Sequence, residues 1–326
     1  MTLGLGYSLI DDSFFNEFTN NFAMDFDGTD DYALVGISGQ DPANGTIKPV
    51  SPDGFTVAAW VRLDVDSDSY NTTTRREIID CAQANGGYNV YYQTRRIYFK
   101  VNLIDGDDNL VGLLLNTYPN IMRAPTSASD YNKYLHKSDN WHFVVGTWDG
   151  VNTAQLYVDG DRSQAGAGGQ DGSSGVTQFG SEPETSESKK VATSPSGGAY
   201  TMTYNTTNDF DEMDIVIGAN ANYNNSTDVT IGSANFWQGQ IGDIGIWEVE
   251  LSQAEIKALY NRHVPTDMSG TQADNLQGYW KSEEGSGTTV SEETGNVGTN
   301  MTLVNGVDNT STAAPSTDVT GYYGYR

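Results

Sequence analysis

Positive charge is scarce in this sequence. Its 326 residues hold 17 lysines and arginines against 43 aspartates and glutamates, a formal net charge of −26. A surface this anionic repels a phosphate backbone, which sets aside nucleic-acid binding. The plainest use of such charge is to keep the chain dispersed in a salty medium, where screening makes it tolerable. Cysteine is almost absent. Cys81 stands alone, so no intrachain disulfide can form. No histidine lies near it in sequence, and it reads as a small buried hydrophobe rather than a nucleophile. The three histidines, His136, His142 and His263, show no metal-ligand spacing. There is no G-x-S-x-G elbow and no phosphate-binding loop. No apolar run approaches the length of a membrane span. Residues 1–10 lack a basic region, a long apolar core and a cleavage site, so a secretory signal is not expected there. Long helical periodicity is missing as well.

What remains is the composition of an all-β chain: abundant Gly, Asn, Asp, Ser and Thr for turns, with many tyrosines. The chain is organised around Gly239–Glu248. There Ile244 and Ile246 alternate with Asp243, Gly245 and Trp247, as in a half-buried strand. The period then changes. Ser252 with Glu255 three residues on is a capping box, which predicts a short helix from about Gln253. Alternation predicts further strands at Phe22–Phe26, Phe55–Leu63, Ile78–Asp80, Tyr88–Tyr92, Ile97–Leu103 and Asn109–Leu115. Trp60 falls on the face of its strand opposite Phe55, Val57, Ala59, Val61 and Leu63. Trp141–Gly150 and Ala154–Gly160 read as a hairpin at the centre of a sheet, and Met213–Gly218 as a late strand. Between them, 161–211 is rich in Gly, Ser and Glu. It holds a few strand-like fragments such as Ala199–Tyr204 and reads as an insertion at one edge, with room for a small hairpin of its own. Residues 1–21 form an arm whose Phe14, Phe15 and Phe18 need a surface to dock on. Residues 306–326 form a weakly patterned tail ending in Tyr322, Tyr323 and Tyr325.

Several of these segments resemble motifs of laminin-G-like domains in the concanavalin A-like lectin/glucanase superfamily. Gly239–Glu248 with Leu251–Ile256 resembles "G-x-I-D-D-V-R-I-W…L-S-x-x-E-I". Phe26–Tyr32 resembles "F-D-G-x-D-D-Y", Phe55–Val61 resembles "F-T-x-x-A-W-V", and Trp141–Gly150 resembles "W-H-H-V-A-x-T-W-D-G". Leu156–Gly160 matches "L-Y-V-D-G". Leu276–Thr288 is similar to "L-x-x-Y-W-x-x-x-E-G-S-G-T", which usually opens these domains and here comes late. Chain ends of compact domains tend to be neighbours, so this permuted order is physically acceptable. The resemblance implies one domain over 22–305, a two-sheet antiparallel jelly-roll sandwich with one short helix and a long edge insertion.

The resemblance also frames the chemistry. Family 16 glycoside hydrolases in this superfamily carry "E-x-D-x-x-E", with two glutamates on one strand face. Here Glu212 and Asp214 are present, but Ile217 stands where the second glutamate belongs. The acid and nucleophile pair is broken, so no enzyme is expected. The resemblance implies a Ca²⁺ where the first strand meets the strand before the helix, on Asp25 or Asp27 with Asp243. The alternatives are that Asp243 faces water and that the Gly28–Asp31 turn is an Asx-turn without an ion. Sugar binding is the family's commonest non-enzymatic work. Candidates for stacking and hydrogen bonding are Trp60, Tyr98, Trp148, Asn222, Tyr223 and Asn224. Trp60 and Trp148 lie in strands apolar on both faces, which favours core packing for both.

The expected function is a structural and recognition protein of a virion, a capsid decoration or a fibre. The opening residues and the Tyr279–Thr288 segment resemble laminin-G-like proteins of marine tailed phages. Expected partners are other virion proteins or sister subunits in a homo-oligomer, with a possible glycan ligand, and neither nucleic acid nor membrane. The alternative is a carbohydrate-binding module or adhesin of a bacterial surface protein.

Overall fold

The computed structural model describes residues 22–36, 54–63, 75–83, 86–93, 96–104, 110–116, 141–162, 188–191, 215–223, 229–261, 265–296 and 299–311. In chain order these form β1 (Ala23–Asp27), β2 (Tyr32–Val35), β3 (Phe55–Leu63), β4 (Arg76–Gln83), β5 (Gly86–Gln93), β6 (Arg96–Ile104) and β7 (Leu110–Asn116). Then come β8 (Trp141–Trp148), β9 (Thr153–Val158), β10 (Asp161–Arg162), β11 (Ser188–Val191), β12 (Ile215–Ile217), β13 (Ala221–Tyr223) and β14 (Val229–Ile231). After β15 (Gln238–Trp247) follow the helix α1 (Gln253–Tyr260), β16 (Leu276–Trp280), β17 (Thr289–Val290), β18 (Met301–Val304) and β19 (Asp308–Ser311).

Two antiparallel sheets face each other. The first runs β10-β9-β8-β3-β15-β1-β19, with β11 also on β9 and β16 also on β15. The second runs β17-β18-β2-β12-β4-β5-β6-β7, and β13 pairs with β14 in a separate ribbon. This is the two-sheet sandwich the motifs imply, with its single α-helix among the described residues.

β15 is central because its whole length is used on both edges. β3 covers one edge. On the other, β1 pairs with Gln238–Ile241 and β16 pairs with Ile244–Trp247, so the two shorter strands lie end to end. The changeover falls at Gly242–Asp243, where the register shifts and Asp243 takes φ 46°. Such a bulge re-aims a side chain and resets pairing.

Alternation sorts the side chains into layers. Phe55, Val57, Ala59 and Val61 of β3, Val144 and Trp148 of β8, and Ile241, Ile244 and Ile246 of β15 point between the sheets. Cys81, Tyr88, Val90, Tyr92, Ile97, Phe99 and Val101 meet them from the second sheet. On the far side of the first sheet, Ala58, Trp60, Phe143, Val145, Tyr157, Trp247 and Tyr279 form a second core under Ile256, Leu259 and Tyr260 of α1. The helix starts as expected. The Ser252 hydroxyl accepts from Glu255 N at 3.3 Å, and Ser252 N donates to Glu255 Oε2 at 2.8 Å. Trp60 and Tyr260 rings stack across this layer with centroids 6.0 Å apart.

One expected boundary meets a different outcome: the tail expected from 306 contributes β19, which takes the free edge of β1. Within 161–211, β10 and β11 lie end to end along the outer edge of β9, so the described part of the insertion sits at an edge of the first sheet, as expected. The arm 1–21, Ala199–Tyr204 and the tail beyond 311 lie outside the described residues.

The sheets approach closely at Gly146, where a Cβ would stand 2.6 Å from the Phe99 ring. Gly146→Ala should therefore force the Phe99 ring or the strand to shift, costing about 1–3 kcal/mol. Chemical denaturation checks this; an unchanged midpoint would show that the two sheets can separate there freely.

Candidate functional site

The outer face of β4–β7 is the site candidate. On β6, Ile97, Phe99, Val101 and Leu103 enter the core, which leaves Arg96, Tyr98, Lys100 and Asn102 on the opposite face. On β5, Tyr88, Val90 and Tyr92 enter the core, which leaves Asn89 and Tyr91 outside. β4 needs a bulge to follow suit. Its register shifts between Glu77 and Ile79, so Ile78 and Ile79 both enter the core while Glu77 and Asp80 stay outside. The register then sets up two rows across the sheet. One is Glu77, Tyr91, Tyr98, Asn116; the other is Asp80, Asn89, Lys100, Leu114.

The first row is a stack. The Tyr91 and Tyr98 rings stand 4.8 Å apart and 2° from parallel, and the Arg75 guanidinium carbon sits 3.9 Å from the Tyr91 centroid. Arg75 also pairs with Glu77. Tyr91 thus has a partner on each ring face, and one face of Tyr98 is taken by Tyr91. Tyr91 is buried, so the accessible part of the pair is that of Tyr98. Tyr98 is half-buried, and burial raises its pKa while Arg96 partly offsets the rise. Arg96 donates to Asn116 Oδ1 at 2.7 Å.

The second row is recessed. Asp80 Oδ2 accepts from Asn220 Nδ2 at 2.8 Å and Ala221 N at 3.0 Å, which seats the β13–β14 ribbon beside the face. Asn89 is 4% exposed, and its Oδ1 has no hydrogen-bond partner among the described residues. A buried amide oxygen left unbonded costs about 1–3 kcal/mol, which a ligand hydroxyl would recover. Glu77 is fully buried, and its pKa is pushed well up by burial and by the Asp80 carboxylate, against the pull of Arg75.

The residues expected to bind sugar are dispersed. Tyr98 lies on this face. Trp60 and Trp148 are fully buried, one under α1 and one between the sheets, so neither presents a ring to a ligand. This is the core packing that two apolar strand faces favour. Asn222 and Tyr223 belong to β13, paired with Thr230 and Val229 on the ribbon that Asp80 anchors. Asn224 lies outside the described residues, as do Glu212 and Asp214. Ile217, at the position of the missing glutamate, is buried between the sheets. Arg75, Glu77, Asn89, Tyr91, Lys100 and Asn102 were not singled out from the sequence. For Asn89, Tyr91, Lys100 and Asn102 the signal was present as the polar half of the β5 and β6 alternation.

The expected calcium ligands do not converge. Asp25 pairs with Gln240 and accepts from its Nε2 at 3.2 Å; Asp27 pairs with Gln238. Asp243 is three residues further along β15 than Gln240, on the order of 10 Å at strand rise. Its carboxylate is fully buried and accepts from the Tyr279 hydroxyl at 3.1 Å. Carboxylate oxygens of Asp27, Asp30 and Asp31 do lie within 4.8 Å of one another. Asp27 Oδ1 already accepts from Thr29 N at 2.7 Å and Asp30 N at 3.4 Å, and Asp31 Oδ2 accepts from Asp27 N at 2.9 Å. These bonds make an Asx-type turn that accounts for the cluster.

His142 is buried, with Nδ1 2.9 Å from Asp159 Oδ2, while Asp159 Oδ1 accepts from Phe143 N at 3.0 Å. Asp159 has φ 54° at the end of β9, so the pair braces a tight turn.

A family model described as the concanavalin A-like lectin/glucanases superfamily matches residues 27–193, just over half of the chain. No curated protein matches. Among solved structures, the chain is 12% identical to a candidate carbohydrate-binding protein from Bacteroides ovatus, with a TM-score of 0.43, covering 87% of this chain and 58% of that one. It is 16% identical to the receptor-binding domain of botulinum neurotoxin D, with a TM-score of 0.39, covering 73% and 43%. A heptameric SAP-like pentraxin from Limulus polyphemus is 9% identical, with a TM-score of 0.40, covering 89% and 97%. The chain thus spans about half the length of the first two. At these identities the likeness concerns the fold alone.

Burial raises the Asp243 pKa well above the ordinary aspartate value, with the Tyr279 hydroxyl and Lys281 pulling partly the other way and Glu283 adding to the rise. The folded chain holds this proton more tightly than the unfolded chain. Stability is therefore lost as pH rises from the ordinary aspartate pKa through the raised one. Asp243→Asn keeps an acceptor for Tyr279 and should remove that loss. Its melting temperature relative to wild type should be higher at pH 8 than at pH 4. A gap that does not change with pH would show that Asp243 does not titrate differently on folding.

Proposed function

Because the chain belongs to the concanavalin A-like lectin/glucanases superfamily, we propose that it is a non-catalytic glycan-recognition protein whose binding face is the outer side of β4–β7. The observation that carries this is the recessed Asn89 Oδ1, without a hydrogen-bond partner among the described residues, in the row beside the stacked Tyr91 and Tyr98. Sugars present many hydroxyls and few charges. They are held by small numbers of well-placed polar groups with aromatic carbon beside them. The two rows supply amide, phenol and aromatic edge together. Ile217 in place of a second glutamate supports a reading without hydrolysis.

The setting we propose is a tailed-phage virion, as a capsid decoration or fibre component assembled with sister subunits. Support comes from the resemblance of the opening residues and of Tyr279–Thr288 to laminin-G-like proteins of marine phages. The net charge of −26 is suited to keeping a particle dispersed in salt water. The aromatic residues of 1–21 and 312–326 would seat on the particle or on a second copy.

On a glycan array, the full-length chain should bind a defined set of glycans without releasing reducing ends. Tyr98→Ala and Asn89→Ala should each weaken that binding about tenfold or more with the fold intact. Binding indifferent to both substitutions would move the site elsewhere, and release of reducing sugar would end the non-catalytic reading. Mass spectrometry of purified particles should find the chain in the virion; its presence only in infected-cell cytoplasm would refute that setting.

A further inference from the structure

The candidate face carries a line of cations. Arg96, Tyr98 and Lys100 alternate along the outer side of β6, so one tyrosine is flanked fore and aft by two of the chain's 17 basic residues. Arg75 adds a third at the near end of the same stack. The negative groups lie on one side. Glu77 and Asp80 are both on β4, where Arg75 pairs with Glu77 and Asp80 is occupied by Asn220 and Ala221. Arg96 is two strands away from them. Its hydrogen bond is to the neutral Asn116 amide, and among the described residues no carboxylate pairs with it. Both Arg96 and Lys100 are partly exposed. In a chain of net charge −26, Arg96 stands beside a half-buried tyrosine with no carboxylate partner among the described residues, and its planar fork suits a carboxylate or sulfate.

We infer that the face selects acidic glycans, with the β6 stripe of Arg96, Tyr98 and Lys100 taking the acidic group and Asn89 and Asn102 meeting neutral hydroxyls. This rests on the glycan-binding reading above. The charge of the whole chain does not forbid it. At physiological ionic strength the Debye length is about 8 Å, so distant carboxylates are largely screened while a charge pair in contact is kept. Arg96 and Lys100 lie four residues apart on one strand, on the order of 13 Å, which suits a chain bearing acid on more than one sugar.

Paired probes that differ only in charge test this. Polygalacturonate is compared with its methyl ester for a carboxylate, and dextran sulfate with dextran for a sulfate, each titrated against wild type, Arg96→Gln, Lys100→Gln and Tyr98→Ala. Lys257→Gln, exposed on α1 on the far side of the first sheet, controls for general attraction to a polyanion. The expected result is at least tenfold tighter binding of one acidic probe than of its neutral partner. Arg96→Gln should remove most of that preference, Lys257→Gln should leave it intact, and added salt should weaken only the acidic member. Which pair responds identifies the acidic group. Equal binding of charged and uncharged partners, or a preference that survives Arg96→Gln or is lost in Lys257→Gln, overturns the inference while leaving glycan binding in place. If neither pair binds and a glycan array is also blank, the underlying reading fails with it.

Discussion

The partner change along β15 is the constraint on which the rest of the sandwich depends. One edge of this strand is filled by β3 and the other is shared by two strands from opposite ends of the chain. The irregularity at Gly242–Asp243 lies in the pairing with β3, at the level where the other edge changes partner, and the buried Asp243 carboxylate is held there by the Tyr279 hydroxyl from the second of the two strands. An acid in that position loses its hydration, so the hydrogen bond matters more than it would at a surface. Ile241 before the irregularity and Ile244 after it both reach the same core. The bulge therefore keeps the hydrophobic face continuous while the pairing changes.

A second irregularity does the corresponding work for the candidate site. In β4 an uninterrupted alternation would send either Ile78 or Ile79 to the outer face. The shift between Glu77 and Ile79 lets both enter the core and keeps both acids with the polar rows of β5 and β6. The polar face is also supported from the side. Arg76 donates to the Phe236 carbonyl at 2.6 Å, Glu77 N donates to the Asn235 carbonyl at 2.9 Å, and Asp80 holds the start of β13. Side chains fixed this way lose little freedom on binding, which favours a small number of polar contacts.

The parts legible in the sequence are those governed by short-range pattern. Ser252 and Glu255 located the helix start because a capping box acts within four residues. The faces of β3 followed from its alternation, with Trp60 opposite Val57 and Val61. Less was legible where a distant partner decides. Trp148 lies in a strand apolar on both sides, so only the layer packed over it shows which face it uses. Asp243 was recognised as an acid on an apolar strand. Its burial against Tyr279 depends on a positive φ at a non-glycine residue, which no local pattern announces. The alternation of Arg96, Tyr98, Lys100 and Asn102 was visible, but its meaning needs the register that aligns it with Tyr91 and Asn89. The strand at Asp308–Ser311 has weak pattern of its own and is made a strand by the open edge of β1.

The end-to-end arrangement on β15 also bears on how the chain is made. Asp25 and its partner Gln240 are 215 residues apart. At roughly 5–20 residues per second, β1 leaves the ribosome about 10–40 s before the strand that pairs with it exists. Through that interval its apolar residues Met24 and Phe26 and its unpaired backbone are open to other nascent chains. The first sheet can close only once β15, β16 and β19 have been made, and its pairings are long-range ones of the slow kind. The excess of negative charge then acts on the unfolded chain as well. Mutual repulsion between nascent copies would protect the waiting edges until β15, β16 and β19 arrive to complete them.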